Sequence, residues 1–483
     1  MQTLRVKHLL LAALLLPAVA ARPADLDSLW AVCESRQTPV PERSFAVVDV
    51  RTPRTEIGKS LYRVTRHPGL DSLLTEEEQQ RILAEINRRC DELGKDSLLT
   101  CELFYVLRPF FDRLHFEDPH YRIEQRVYAD HNVYRSRRRI AKLDRRLRMP
   151  PFTLCRINDT LLIDRSFDTG FHRGDLVVAI NNVPTAEYLK YSYDDRYSSP
   201  ATLMSRYYYS HLVDSFRIGL VRAGRFVEVE TTGLPLYDAL FRLSKAEETD
   251  RNIRIYADAR TGYIAIPEFF PDNSRLIRIV RKALLDFRKQ GCTSVILDLR
   301  RNPGGNGHAF DKLLSLFLSK PTVDYCRGQR IRATRSAMKY YDFITEETLG
   351  RTVEMPDKEV VRTFETDPKL YVPGMDCYIL VGRDTGSIAA SFVNILQYND
   401  AALLVGEPLR HNALKYGEED EGSVILPTQL AESAVSMVEI DEYTRRDDGY
   451  VMPDIPIPAV AAEYADGRDA VLEKLLTLIK EKI

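Results

Sequence analysis

The stretch TSVILDLRRNPGGNGH, residues 293–308, decides the fold. Val295, Ile296 and Leu297 follow one another with no polar alternation, the pattern of a strand buried on both faces of a sheet. The strand then breaks into a glycine-rich loop. Two later runs have the same character, CYILVGR (377–383) and AALLVG (401–406). Between them and upstream lie helix-forming segments. SRLIRIVRKALLDFRKQG (274–291) has helical spacing and ends on a glycine suited to a C-cap. NIRIYADARTGYIAIPEF (252–269) reads as a strand pair around Thr261-Gly262. Repeated strand–helix–strand units imply an α/β fold with parallel strands and right-handed crossovers over residues 250–483. Residues 321–375 are polar and irregular, and read as a lid or insertion.

Outward from this core the character changes. Residues 151–240 carry short strands and turns: FTLCRINDTLLIDR (152–165), then GFHRGDLVVAINNVPTAEYL (170–189), then a closing hairpin turning at Ala223-Gly224. Residues 21–150 read as helical and charged, with Thr75 capping a helix that opens Glu76-Glu77-Glu78. VYRSRRRIAKLDRRLR (133–148) reads as a basic solvated face or linker. Residues 1–20 carry Arg5, Lys7 and His8, an apolar run from Leu9 to Leu16, and Ala18-Val19-Ala20. This is the three-part pattern of a cleaved signal peptide, and the run is shorter than the about 20 residues of a membrane span. An exported protein is expected, periplasmic or extracellular, with no integral span after cleavage.

Composition narrows the classes. The chain has 483 residues, 44% hydrophobic and 29% charged, with 25 Tyr and 19 Phe. That excludes disorder as the main state. The formal net charge is −2, so no general attraction to nucleic acid is expected. The cysteines number seven and form no CxxC pair, so neither a zinc site nor a thioredoxin motif is expected. Cys292 and Cys377 open apolar runs and read as small core residues.

Three loops carry candidate chemistry. In the first, Gly304 and Gly305 free the backbone to aim amides at a ligand, as a phosphate cradle or an oxyanion hole does; no Lys-Ser/Thr ending makes it a P-loop. In the second, VGRDTGSIAASFVNIL (381–396), Ser387 starts a helix. It reads either as an N-cap or as a nucleophile beside the free amide of Ile388. The third is DPHYRI (118–123), with His120.

Taken together, DLRRNPGG (298–305), Thr385-x-Ser387-x-Ala389, VGEP (405–408), PDIPI (453–457) and GRDAVLE (467–473) resemble the carboxyl-terminal processing, or tail-specific, serine protease family, which includes the tricorn core and the interphotoreceptor retinoid-binding protein. The resemblance spans about residues 75–480. It implies a crotonase-like αβ-spiral core, an inserted PDZ-like domain at 151–240 and an N-terminal helical region. It implies an exported serine endopeptidase acting on protein or peptide substrates, without metal or cofactor. Ser387 would be the nucleophile, and amides of Gly304 or Gly305 with Ile388 the oxyanion hole. Gly174 and Asp175 in the PDZ-like domain would serve substrate binding. The base is open between His120, Lys415 and His411. Tail-specific members carry a lysine where Asn412 stands here, whereas tricorn-like members use an upstream histidine. Chemistry favours His120, because carboxylates near Lys415 hold its amine charged. Glu439 or Asp448 is expected to orient the histidine. The alternative function is a degenerate member that binds peptides or small hydrophobic ligands.

Overall fold

The structure is a computed structural model. It describes residues 47–49, 67–94, 97–99, 105–106, 108–109, 118, 120, 123–125, 148–157, 160–181, 183–185, 215–235, 253–269, 273–305, 307, 310–372, 374–409, 415–419, 424–425, 431–433, 436–465 and 467–482. The signal segment, the basic run up to residue 147, and His411 and Asn412 lie outside the described residues.

Near the N-terminus, α1 (Glu76–Leu93) begins where Thr75 Oγ1 accepts the Glu78 amide and ends at Gly94, whose φ is 57°. The segment expected to hold turns and strands forms an antiparallel sheet. Its strands are β1 (Phe152–Ile157), β2 (Thr160–Ser166), β3 (Leu176–Ile180), β4 (Phe216–Arg222) and β5 (Arg225–Thr231), in the order β5-β4-β3-β2-β1. A short strand, Val183–Pro184, pairs with β3. Ala223 and Gly224 take φ 47° and 74°, the left-handed pair that a tight hairpin turn needs. The sheet has its own core, including Phe152, Leu154, Ile163, Phe171 and Phe216.

The second sheet holds the site. Its strands run β6 (Ile253–Tyr256), β7 (Thr261–Ala265), β8 (Ser294–Asp298), β9 (Asp376–Val381), β10 (Leu403–Gly406) and β11 (Ile455–Pro456), in that order, antiparallel between β6 and β7 and parallel thereafter. The strand pair expected around Thr261-Gly262 turns earlier, in a 3-10 turn at Ala257–Ala259. Gly262 sits inside β7 because Phe287 of α2 (Asn273–Lys289) packs directly over it: a Cβ there would lie 2.1 Å from that ring. The continuous apolar strands are buried on both sides. Val295, Leu297, Cys377 and Ile379 face α2 and α3 (Ile388–Tyr398). Ile296, Tyr378 and Leu380 face α4 (Ala470–Lys482) through Leu472, Leu475 and Ile479. Cys292 and Cys377 are buried, as expected of small core residues.

Residues 321–375, read as a lid or insertion, pack into the core. They contribute Val323, Tyr325, Cys326, Ile331, Ala337, Ile344 and Met355 to the main core. Cys326–Arg332 pairs with Thr352–Glu354 on one side and with Ser436–Glu442 on the other, in a four-stranded sheet completed by Tyr416–Glu419. Their polar composition reflects short strands with one wet face. Among the described residues no helix is long and apolar enough to cross a membrane.

Candidate active site

The loops after β8 and β9 meet at the carboxyl end of the parallel sheet, where α/β proteins build their sites. Asn302 joins them. It is fully buried; its Nδ2 donates to the Ile266 carbonyl (3.0 Å), its Oδ1 accepts the Gly304 amide (2.9 Å) and its carbonyl accepts the Gly386 amide (3.0 Å). Thr385 adds a second tie, donating from Oγ1 to the Leu299 carbonyl at 2.8 Å and accepting the Gly382 amide at 3.1 Å. Arg300 pins the loop base through paired bonds to Asp469 (2.8 and 2.7 Å) and through Asp298. Two of the motif stretches, 298–305 and 467–473, thus meet in one ion pair. Burial would raise the Asp298 carboxyl, but Arg300 outweighs it and holds it below the ordinary range.

Ser387 does not cap its helix. Its side chain makes no capping bond, and its backbone has φ 50° and ψ −132°. A non-glycine residue there carries strain of about 1–3 kcal/mol. The side chain points to His120: Nε2 lies 3.0 Å from Ser387 Oγ. On the other side of the ring, His120 Nδ1 lies 3.2 Å from Asp118 Oδ1, which also accepts the His120 amide at 2.9 Å. A carboxylate on Nδ1 requires the proton there, which leaves Nε2 free to accept the serine proton. Asp118 is fully buried. Burial would raise its carboxyl, but His120 and His67 outweigh burial and hold it well below the carboxylate range.

The glycine loop lies against this pair. A Cβ on Gly304 would sit 2.6 Å from Ser387 Cβ and 3.2 Å from the Ile388 nitrogen. The Gly304 amide, one of the expected oxyanion donors, is spent on Asn302. Its carbonyl accepts the Phe269 amide at 2.8 Å, which fixes the next peptide and turns the Gly305 N–H to the opposite side. Neither the Gly305 nor the Ile388 amide donates to an acceptor among the described residues.

Several expected residues are elsewhere. The Lys415 ammonium lies over the Tyr416 ring, 5.3 Å from its centroid, and no hydrogen bond among the described residues joins it to Ser387. Glu439 pairs with Arg330 and Asp448 with Arg446, so neither orients His120; Asp118 does. Gly174 and Asp175 are taken up in packing and an ion pair. Gly174 packs on Ala465, whose carbonyl would lie 2.4 Å from a Cβ. Asp175 is buried and carries Arg222 on both oxygens, at 2.8 and 2.6 Å. Asp118 was within reach of sequence reading as the first residue of Asp-x-His. His67 gave no signal. Among the described residues no cluster could hold a metal ion.

Residues 260–455 match the sequence profile of peptidase family S41. The chain carries a peptidase family S41 domain. By that domain it is a serine peptidase. Among solved structures, mature CPAF bound to lactacystin matches at 14% identity, covering 90% of this chain and 99% of that one, with a TM-score of 0.59. Mature CPAF alone gives 13% identity, 89% and 98% coverage and 0.58. The photosystem II D1 C-terminal processing protease gives 13% identity, 88% and 96% coverage and 0.40. The CPAF likeness is one of fold and extends well beyond the S41 domain.

Proposed function

We propose that this protein is an exported serine endopeptidase of the tail-specific type, with Ser387 as nucleophile and His120 as its base. One observation carries the assignment of the pair: the 3.0 Å approach of His120 Nε2 to Ser387 Oγ, with a buried carboxylate on Nδ1. A serine hydroxyl is a weak nucleophile until a base within hydrogen-bond reach takes its proton.

The steps follow from that pair. His120 Nε2 takes the Oγ proton as Oγ bonds to the peptide carbonyl carbon, and the carbonyl electrons move onto oxygen. The Gly305 and Ile388 amides donate to that oxygen. The oxyanion then collapses, the C–N bond breaks, and the imidazolium returns its proton to the leaving amine. Water, deprotonated by the same nitrogen, cleaves the resulting ester and frees Ser387. Asp118 stays ionised throughout and stabilises the imidazolium.

A crotonase-like core suits the parallel sheet with helices on both faces. A PDZ-like reading of 151–240 suits a small antiparallel sheet with its own core. Export rests on the pattern of residues 1–20. The tail-specific type rests on the motif order from Asp298 to Glu473.

Labelling of purified protein with a fluorophosphonate tests the chemistry. Wild type and Lys415→Ala should label, and Ser387→Ala and His120→Ala should be dark. A dark Lys415→Ala beside a labelled His120→Ala would move the base to the lysine. Cleavage of a test protein with a free apolar C-terminus, but not of its C-terminally amidated form, is expected of the tail-specific type.

A further inference from the structure

The relay just proposed uses one oxygen of Asp118. The other, Oδ2, lies in a fully buried place and needs partners of its own. It has two. The Ser436 amide donates to it at 3.4 Å, and His67 Nε2 lies 3.2 Å away, off the line of a well-aligned hydrogen bond. His67 is fully buried, its ring 4.5 Å from that of Tyr416 and tilted to it. Its other nitrogen, Nδ1, accepts the Gly69 amide at 3.0 Å. A ring nitrogen that accepts carries no proton, so the proton of the neutral ring is on Nε2, facing the carboxylate. The turn itself is fastened to the core, because Thr352 Oγ1 donates to the Pro68 carbonyl at 2.7 Å.

We infer that His67 is a positioning residue for the reaction: it holds the second oxygen of Asp118, so that the first stays on His120 Nδ1. The inference rests on the reading of His120 as base. A buried carboxylate with one bare oxygen turns toward whatever donor it can reach, or draws in water, and either loosens the imidazole. His67 and Ser436 remove that freedom from one side, as His120 does from the other. The serine end is thereby extended to a four-member chain, Ser387–His120–Asp118–His67, closed at its far end by the Gly69 amide. A neutral His67 adds no net charge, so Asp118 stays an anion beside the imidazolium that forms on His120. Titratable and charged groups facing the assembly include Tyr416, against His67, Lys415 beyond the Tyr416 ring, and Arg332, which donates to Thr352 Oγ1 at 3.3 Å.

Two substitutions divide the roles of the ring. His67→Asn places an acceptor where Nδ1 stands and stops short of Asp118, so the turn survives and the carboxylate contact does not. His67→Gln reaches Asp118 with an N–H donor where Nε2 stands. The readout is the rate of fluorophosphonate labelling across pH, resolved into kinact and KI, with Ser387→Ala and His120→Ala alongside. His67→Asn should lower kinact about tenfold, leave KI within about twofold and move the acid limb of the profile to higher pH, because an Asp118 stripped of one donor holds the imidazolium more tightly. His67→Gln should keep kinact within about threefold of wild type and leave the limb in place. A His67→Asn with wild-type kinact and limb overturns the inference. So does an equal loss in Asn and Gln with the limb unmoved, which is what a merely structural defect gives. Labelling of His120→Ala at the wild-type rate removes the base assignment and this inference with it; a dark His120→Ala beside a wild-type-like His67→Asn removes His67 alone.

Discussion

Ser387 shows what a single residue position stores. Its φ of 50° is a conformation that costs an L side chain and not glycine, and no capping bond offsets the cost. Ser387→Gly should therefore melt above Ser387→Ala, by an amount worth about 1 kcal/mol, since relief of strain exceeds the extra unfolded-state freedom of glycine. A calorimetric scan of the two inactive variants decides it; Ala at or above Gly would mean that the backbone there is relaxed. Gly304 stores the complementary requirement. Alanine at that position would overlap Ser387 Cβ, so Gly304→Ala should fold with a displaced serine and lose fluorophosphonate labelling by at least about a hundredfold. The serine and the histidine were legible in the sequence because each stands in a local pattern, a strand–loop–helix start and an Asp-x-His. The second oxygen of Asp118 was not. Its partners are His67, some fifty residues earlier, and Ser436, over three hundred later, and only the closed fold brings them together. The partner of Asp175 was hidden for a related reason: Arg222 arrives from a strand almost fifty residues later.

At the scale of elements, α3 must be held so that Ser387, the residue just before it, faces His120, and a buried polar cluster does the holding. Glu442, at the end of the strand Ser436–Glu442, receives Asn394 Nδ2 at 2.9 Å and the Ser391 hydroxyl, one and two turns below Ser387. The same strand begins at Ser436, on Asp118, so a single element touches both ends of the site. Burial raises the Glu442 carboxyl to about 7, against the pull of Ser391 and Asn394. Unfolded, the group titrates near 4.5. Between those values the folded protein binds the proton that the unfolded chain has released. This group's contribution is thus full below pH about 4.5 and is lost as pH rises through about 7, a change of about 3 kcal/mol. Glu442→Gln removes that slope. Compared at pH 5 and pH 8, wild type should lose roughly 3 °C in Tm relative to the variant; parallel melting curves at both pH values would show that the carboxyl titrates normally. The apolar strands on either side were readable, since three runs without alternation admit few other arrangements. The segment 321–375 was not. Its short strands bury alternate residues and expose the rest, and in sequence that looks like an irregular loop.

At the scale of the whole molecule, the small antiparallel sheet is fastened to the loop that carries Gly304 and Gly305. Arg301 stands one residue before Asn302 and forms a paired ion bridge with Asp164 of β2, at 2.9 and 2.7 Å. Tyr464, which precedes α4, donates its hydroxyl to the same carboxylate, and Arg173 stacks over the Tyr464 ring at 4.8 Å. Gly174 closes the contact against Ala465, which is the use the fold makes of that glycine. A cleft of about 720 Å³ lies behind these contacts, lined by both units, Arg156 and Arg173 on one wall and Arg300 and Asp469 on the other. The bridge gives the sheet a direct mechanical hold on the loop. If that hold helps set the loop, Asp164→Ala should slow fluorophosphonate labelling about fivefold, the effect of about 1 kcal/mol expected of a well-formed but partly exposed pair. Arg301→Ala should do the same, and the double variant should be no slower than either, because the bond between sheet and loop that the two changes remove is the same one. The four rates form a closed cycle. Losses that multiply instead of merging would mean that each side chain acts on the site alone, and that the sheet is docked on the peptidase domain without being coupled to it.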